Sequence, residues 1–78
     1  MLFVMPRSDF QRFWMRGMQF PIDIIWMEQG RVVGCEKNIS PKDERVFASP
    51  SEASAVLEVL EGFCDHFDVQ VNDPVGIH

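Results

Sequence analysis

The residues best suited to chemistry lie in the stretch RFWMRGMQFPIDIIW, residues 12–26. Arg12, Trp14 and Arg16 recur at every second position, so an extended strand would present all three on one face. Guanidinium groups donate forked hydrogen bonds to anions, and an indole offers a stacking surface. This face is a candidate ligand site. The alternative is an amphipathic strand whose arginine stems cover apolar surface, as is common in small sheets.

Asp23 stands inside an otherwise apolar run that begins at Ile22. A buried carboxylate needs hydrogen-bond donors or a cation, because burying its charge bare is costly. We expect its partner to be Arg12, Arg16 or nearby backbone N–H groups. The functional alternative is a general acid or base, yet no histidine or second carboxylate stands at a telling spacing. We assign no catalytic residue, leave open whether the protein is an enzyme, and add Asp23 to the candidate ligand site.

The segment Met18-Gln19-Phe20 lies between Gly17 and Pro21, in a connection that is difficult to bury completely. Apolar side chains in such a connection can offer a contact surface to another molecule. Met18 and Phe20 are therefore candidate partner contacts, and the alternative is that they belong to the ordinary core.

The chain has two cysteines, Cys35 and Cys64, and no CxxC motif. Their spacing suits no common zinc pattern, and it allows a disulfide without implying one. We expect two reduced, partly buried thiols. The triplet Cys64-Asp65-His66 suggests a metal site or a nucleophile–base pair, but adjacent side chains seldom point to one spot. No phosphate-binding or zinc-protease motif occurs. We predict no metal and no cofactor.

Composition limits the class of protein. A chain of 78 residues with 46% hydrophobic residues suits one compact domain, residues 1–78. The net charge of −5 argues against binding nucleic acid through its phosphates. No segment approaches the ~20 apolar residues of a membrane span, and the start lacks the pattern of a signal peptide. We therefore predict a cytoplasmic protein that binds neither nucleic acid nor membrane.

Period-two alternation and β-branched residues predict strands over much of the chain. The clearest element is a hairpin whose strands, Ile22–Glu28 and Arg31–Glu36, flank a tight turn at Gln29-Gly30. The other predicted elements are a short buried strand at 2–5 closed by Pro6, a strand at 12–16, a solvated connection at 37–50, a helical turn within 61–67 and a short strand at 75–77. From the strands we expect a core that includes Phe13, Met15, Ile22, Ile24 and Trp26.

The segment 50–61 gives conflicting signals. Ser49, Pro50 and Glu52 resemble a helix N-terminus with a capping box. The apolar residues that follow, from Ala53 to Leu60, keep a helical spacing. Local reasoning therefore predicts a helix here.

Residues 13–27, FWMRGMQFPIDIIWM, resemble the signature of the domain-of-unknown-function 192 family. That signature reads Phe-Trp-Met-Lys-Asn-Thr, then two residues, Pro, an apolar residue and Asp. MLFVMP at the start, the turn at Gly30 and the stretch AVLEV at 55–59 are also similar to the family. The resemblance implies a mainly β fold, a small β-sandwich or barrel-like domain with one short helix. It favours a strand at 55–60 and supplies no activity.

Two departures from the family shape the functional expectation. Gly17-Met18 replaces the signature's Asn-Thr, and the chain begins where the family's MLFV strand begins, without an earlier segment. A sheet that lost an edge strand would need cover, which a second copy could supply. We therefore expect a non-enzymatic β-domain that binds a partner or ligand as a homodimer. The alternative is an enzyme or small-molecule binder with its site at Arg12, Trp14, Arg16 and Asp23.

Overall fold

The computed structural model describes residues 1–75, so most of the strand predicted at 75–77 lies outside the described residues. Within residues 1–75 the chain forms six strands and one short helix, which are β1 (Leu2–Asp9), β2 (Arg12–Trp14), β3 (Ile22–Glu28), β4 (Arg31–Ile39), β5 (Val46–Ala48), β6 (Ala53–Leu60) and α1 (Phe63–His66). The predicted mainly β fold with one short helix is confirmed.

The strands form two antiparallel sheets. The main sheet has the order β1-β6-β3-β4, and β2 pairs with β5 in a two-stranded ribbon. Since β1 and β4 stand at the ends of this order, they are the edges of the main sheet. The ribbon packs on one face of the main sheet, and α1 packs on the other.

β3 is the central strand of this arrangement, and its two faces enter two separate cores. The core under the ribbon consists of Met15, Ile22, Ile24, Trp26, Ile39, Phe47, Ala53 and Val56. The core under α1 consists of Ile25, Met27, Val32, Ala55 and Cys64. Phe13 packs against the first core, so the five core residues expected from the sequence all lie there. Burial on both faces explains why the β3 segment is almost continuously apolar.

The hairpin of β3 and β4 is confirmed. Gln29 and Gly30 both have positive φ, 49° and 73°, as a type I′ turn requires. The main difference is length, because β4 continues to Ile39 rather than ending at Glu36. The cross-strand pair of Ile22 and Ile39 adds apolar burial at that end.

The structure contradicts the expectations for two of the remaining segments and decides the conflict at 50–61 in favour of a strand. β1 continues through Pro6, which lies in an irregular stretch of the edge strand where no ladder partner needs its N–H. β1 is also mostly exposed rather than buried, because it is an edge strand. The segment 37–50 contains the end of β4 and all of β5. The helix at 50–61 does not form, and β6 stands in its place, as the family resemblance favoured.

The residues that resemble a helix start make tertiary contacts instead of capping a helix. The Ser49 hydroxyl accepts a hydrogen bond from the Gln11 backbone N–H at 2.9 Å. Pro50 packs over Gly34, where an added Cβ would come within 2.8 Å of the Pro50 Cγ atom. Pairing with β1 on one side and β3 on the other then satisfies the β6 backbone. Tertiary pairing therefore overrides the local preference for helix.

Candidate functional site

Arg12, Trp14 and Arg16 lie together on the outer face of the ribbon. Within β2, Phe13 pairs with Phe47 of β5 and turns inward, which leaves Arg12 and Trp14 outside. Trp14 is 55% exposed, which is a large fraction for a bulky, mainly apolar side chain. The Arg16 guanidinium carbon stands 5.6 Å from the centre of the Trp14 ring, within cation–π range. The predicted alternation is present, but β2 ends at Trp14 rather than at residue 16, so Arg16 lies in the turn that follows the strand.

These three side chains border a cavity of about 450 Å³, here called the Trp14 groove. Arg12 and Arg16 supply positive charge, while Phe3 and Met18 supply apolar surface. The chemistry of the groove is thus that of an apolar trough with two guanidinium groups beside an indole. An anion with an apolar body would match both features.

Glu58 is the one carboxylate-bearing residue among the residues lining the Trp14 groove. Its Oε2 atom is buried and has no hydrogen-bond partner within the described chain. Burial raises the pKa of the Glu58 carboxyl, and the neighbouring N-terminal ammonium group opposes that shift. Glu58 is therefore the one acidic group that stands against the two guanidinium groups in this groove.

A second cavity, of about 530 Å³, lies between Trp14 and Arg16 on one side and the loop 41–44 on the other. The acidic side chain of Asp43 in this loop is held by Arg45, whose Nη2 donates to Asp43 Oδ2 at 2.7 Å. The hydrogen bonds from Arg45 lower the pKa of the Asp43 carboxyl. Asp43 is therefore ionised and already paired, so it opposes an anionic ligand less than a free carboxylate would.

Asp23 lies apart from the other three candidate ligand residues. It is fully buried on the α1 face of the main sheet. Its Oδ1 accepts the Asn38 backbone N–H and its Oδ2 accepts the Cys64 backbone N–H, each at 2.9 Å. The expected partnership with backbone N–H groups is confirmed, and neither Arg12 nor Arg16 takes part. The geometry thus assigns Asp23 a role in joining β3 to β4 and α1.

The two candidate partner contacts border a third cavity, of about 340 Å³, beside the Trp14 groove. Phe20 is 54% exposed and Leu60 is 68% exposed. Met18 is only partly exposed and packs against the core under the ribbon. Phe20 is therefore largely exposed, as a partner contact would need to be, while Met18 belongs in part to the core.

The cysteines differ from the expectation of two reduced thiols, which is wrong for this structure. Cys35 of β4 and Cys64 of α1 form a disulfide across 29 residues of chain.

The predicted triplet Cys64, Asp65 and His66 does not converge on one point. Asp65 pairs with Lys37, and the His66 ring stands against Phe67. The actual cluster consists of Asp23, Cys35 and Cys64, whose side-chain donor atoms lie within 4.8 Å of one another. Sequence spacing carried no signal for it, because three different elements supply its members.

Comparison with solved structures supports the fold. A protein of unknown function from Novosphingobium aromaticivorans DSM 12444 is 30% identical with a TM-score of 0.91, over 97% of this chain and 55% of that one. A putative transcription regulator from Sinorhizobium meliloti 1021 is 23% identical with a TM-score of 0.88, over 94% of this chain and 57% of that one. The chain thus spans a little over half the length of these relatives.

Three further findings concern the family to which the chain belongs and its relation to membranes. None of the curated proteins matches the chain. Within residues 1–75, no helix is long and apolar enough to cross a lipid bilayer. The family model described as Uncharacterized ACR matches residues 1–77, which include the Phe-Trp-Met signature and every strand described above. The chain therefore belongs to the DUF192 family.

Proposed function

We propose that this domain is a non-enzymatic binding protein that takes up a small organic anion with an apolar body in the Trp14 groove. The observation that carries the proposal is that Arg12, Arg16 and an indole that is 55% exposed line one groove. β2 holds Arg12 and Trp14 through its pairing with β5, so part of the geometry exists before a ligand arrives. Such preorganisation reduces the entropic cost of binding.

The residues lining the groove favour binding over catalysis. Acid–base chemistry needs a group placed to take the proton and usually a second one to return it. Among the lining residues in the described part of the chain, Glu58 carries the one carboxyl group, and there is no histidine or cysteine. Two guanidinium groups and an indole can bind and orient an anion without transforming it.

The test uses an aromatic sulfonate, 1-anilinonaphthalene-8-sulfonate, as the probe, with binding measured by titration calorimetry. We expect Arg12→Gln and Arg16→Gln each to weaken binding about fivefold, which corresponds to ~1 kcal/mol for a partly exposed charge contact. Arg7→Gln, which removes an exposed arginine from β1, is the matched control and should leave the affinity unchanged. Equal binding by all three variants, or by a neutral analogue of the probe, would contradict the proposal.

A second candidate function is self-association through β1. This strand is an edge of the main sheet, and its exposed apolar residues include Val4, which is 71% exposed. Exposed edges of this kind pair readily with another strand. We propose a homodimer in which the β1 edges of two copies pair.

Light scattering coupled to size exclusion tests this second candidate. A homodimer should have twice the 9.0 kDa mass of one chain. Val4→Lys should return the mass to that of a monomer, because a charge on the strand edge disfavours pairing. The control, Val71→Lys, changes a residue that is 60% exposed outside the strands and should leave the dimer intact. A monomer at every concentration would rule the homodimer out.

A further inference from the structure

The cluster of Asp23, Cys35 and Cys64 lies on the α1 face of the main sheet, away from the Trp14 groove. Its members come from β3, β4 and α1, and their donor atoms lie within 4.8 Å of one another. Asp23 and Cys64 are fully buried, while Cys35 is half-buried. A site with one accessible sulfur and two enclosed donors can be reached from solvent and still exclude most water.

The backbone holds these three residues independently of the disulfide. Cys35 stands opposite Ile25 in the β3–β4 ladder. Cys64 is fixed by its own backbone N–H, which donates to Asp23 Oδ2 at 2.9 Å. Breaking the sulfur–sulfur bond removes neither contact. The two thiols and the carboxylate would therefore stay together after reduction.

We propose that reduction of the Cys35–Cys64 disulfide turns this cluster into a binding site for a thiophilic divalent cation of the Zn²⁺ class. Two thiolates and one carboxylate are a donor set that Zn²⁺ accepts, with water completing a tetrahedron.

The chemistry balances in two steps. A dithiol reductant gives two electrons and two protons to the disulfide, which becomes two thiols, and the reductant becomes a disulfide. The cation then displaces two thiol protons to solvent as it binds the sulfur atoms. Since the same sulfur atoms serve in both states, the disulfide and the bound cation exclude each other. The site is thus open to metal only under reducing conditions, such as those of the cytoplasm that the sequence predicts.

The surrounding charges are compatible with a cation. Lys37 is the nearby basic group, and its Nζ donates to Asp65 Oδ1 at 2.6 Å. Lys37 and Asp65 are largely exposed and neutralise each other at the rim. Lys37 is therefore already paired with Asp65 and is not hydrogen-bonded to Asp23, whose carboxylate accepts backbone N–H groups.

The test is a Co²⁺ titration of the full chain, followed by absorption. Co²⁺ substitutes for Zn²⁺, and its thiolate complexes show charge-transfer and ligand-field bands. The protein is examined after oxidation in air and after reduction with a water-soluble phosphine, which itself becomes the phosphine oxide. We expect the reduced chain to bind one Co²⁺ with thiolate bands and the oxidised chain to show none. Because Cys35 and Cys64 are its only cysteines, these bands report on this site alone.

Substitutions at single residues identify which side chains bind the Co²⁺ ion. Cys35→Ser should abolish the thiolate-to-cobalt band of a two-sulfur site and weaken Co²⁺ binding by more than the roughly 10–100-fold that loss of an outer-shell partner costs. Asp23→Asn, if circular dichroism shows it folded, should weaken Co²⁺ binding by at least about tenfold. His66→Gln is the matched control, since it removes the neighbouring imidazole and should change nothing.

Several results would overturn the proposal. They are the absence of Co²⁺ binding by the reduced chain, thiolate bands in the oxidised chain, or full affinity in a folded Asp23→Asn variant. If Asp23→Asn fails to fold, the reduced and oxidised wild-type chains and Cys35→Ser still decide the outcome. Loss of binding in His66→Gln would move the site to Cys64 and His66 and would equally refute the cluster proposed above.

Discussion

The carboxylate of Asp23 accepts backbone hydrogen bonds from two elements, at Asn38 in β4 and at Cys64 in α1. We expect Asp23→Asn to lower the free energy of unfolding by ~2–3 kcal/mol, because an amide has one acceptor oxygen and its NH₂ group would face a donor. Urea denaturation measures the change. Asp65→Asn is the control, since its solvent-exposed pair with Lys37 should contribute little to stability. Equal stabilities of the two variants would contradict the role assigned to Asp23.

Glu58 gives the stability of the protein a pH dependence of opposite sign to that of a paired carboxylate. Burial raises the pKa of the folded-state Glu58 carboxyl above its ordinary value of 4.5. The resulting stabilisation is complete below the ordinary pKa and is lost as the pH rises through the raised pKa of the folded state.

Glu58→Gln should therefore be more stable than the wild type at neutral pH, by less than ~1 kcal/mol because the group is partly hydrated. The difference should shrink as the pH falls below 4.5, the ordinary pKa of the group. Thermal unfolding at neutral pH and at a pH below 4.5 measures the difference in stability between Glu58→Gln and the wild type. Glu52→Gln removes an exposed carboxyl and controls for the change in net charge. A gain that is the same at both pH values would refute burial as the cause.

At the scale of elements, local sequence predicts those parts of the fold in which local and tertiary preferences agree. The hairpin of β3 and β4 is such a case, because its turn chemistry and its alternation favour the same structure. β6 is the opposite case. Its segment carries helix-start residues, but Ser49 pairs with Gln11 and Pro50 packs on Gly34, contacts between residues distant in sequence. A pattern within one segment cannot reveal such contacts.

The same distinction applies to the sites. The face of Arg12, Trp14 and Arg16 follows from alternation within one strand, so the sequence predicts it. The position of Asp23 outside that face depends on which sheet each strand joins. The cluster with Cys35 and Cys64 depends on three elements and has no local pattern at all.

The turn of the hairpin offers a test at this scale. Gln29 has a φ of 49°, a region in which asparagine is favoured over glutamine. We expect Gln29→Asn to raise the free energy of unfolding by ~0.5 kcal/mol, in the range of substitutions that favour a native backbone conformation. Chemical denaturation measures the gain. Gly30→Ala, at a φ of 73°, should instead destabilise by ~1 kcal/mol. A loss of stability in Gln29→Asn would exclude this account of the turn.

At the scale of the whole molecule, the main sheet separates the two proposed sites. The Trp14 groove lies on the ribbon side and the Asp23–Cys35–Cys64 cluster lies on the α1 side. β3 contributes to the core on both sides. A ligand in the groove and a cation in the cluster would therefore not compete for any side chain. Substitutions in one region should leave binding in the other intact.

The disulfide acts on the whole molecule through the unfolded chain, since it closes a loop of 29 residues between β4 and α1. The loop-entropy relation gives ~3–4 kcal/mol of stabilisation for such a loop. That is a large share of the ~5–15 kcal/mol by which small domains are stable.

We therefore expect reduction, with a metal chelator present, to lower the midpoint of urea unfolding while the hairpin and both cores persist. The double variant Cys35→Ala/Cys64→Ala should show a similar loss and no response to reductant. Added Zn²⁺ should restore part of the stability of the reduced wild type only, because a cation that binds the folded state stabilises it by mass action. An unchanged midpoint on reduction would mean that the disulfide contributes nothing to stability under these conditions.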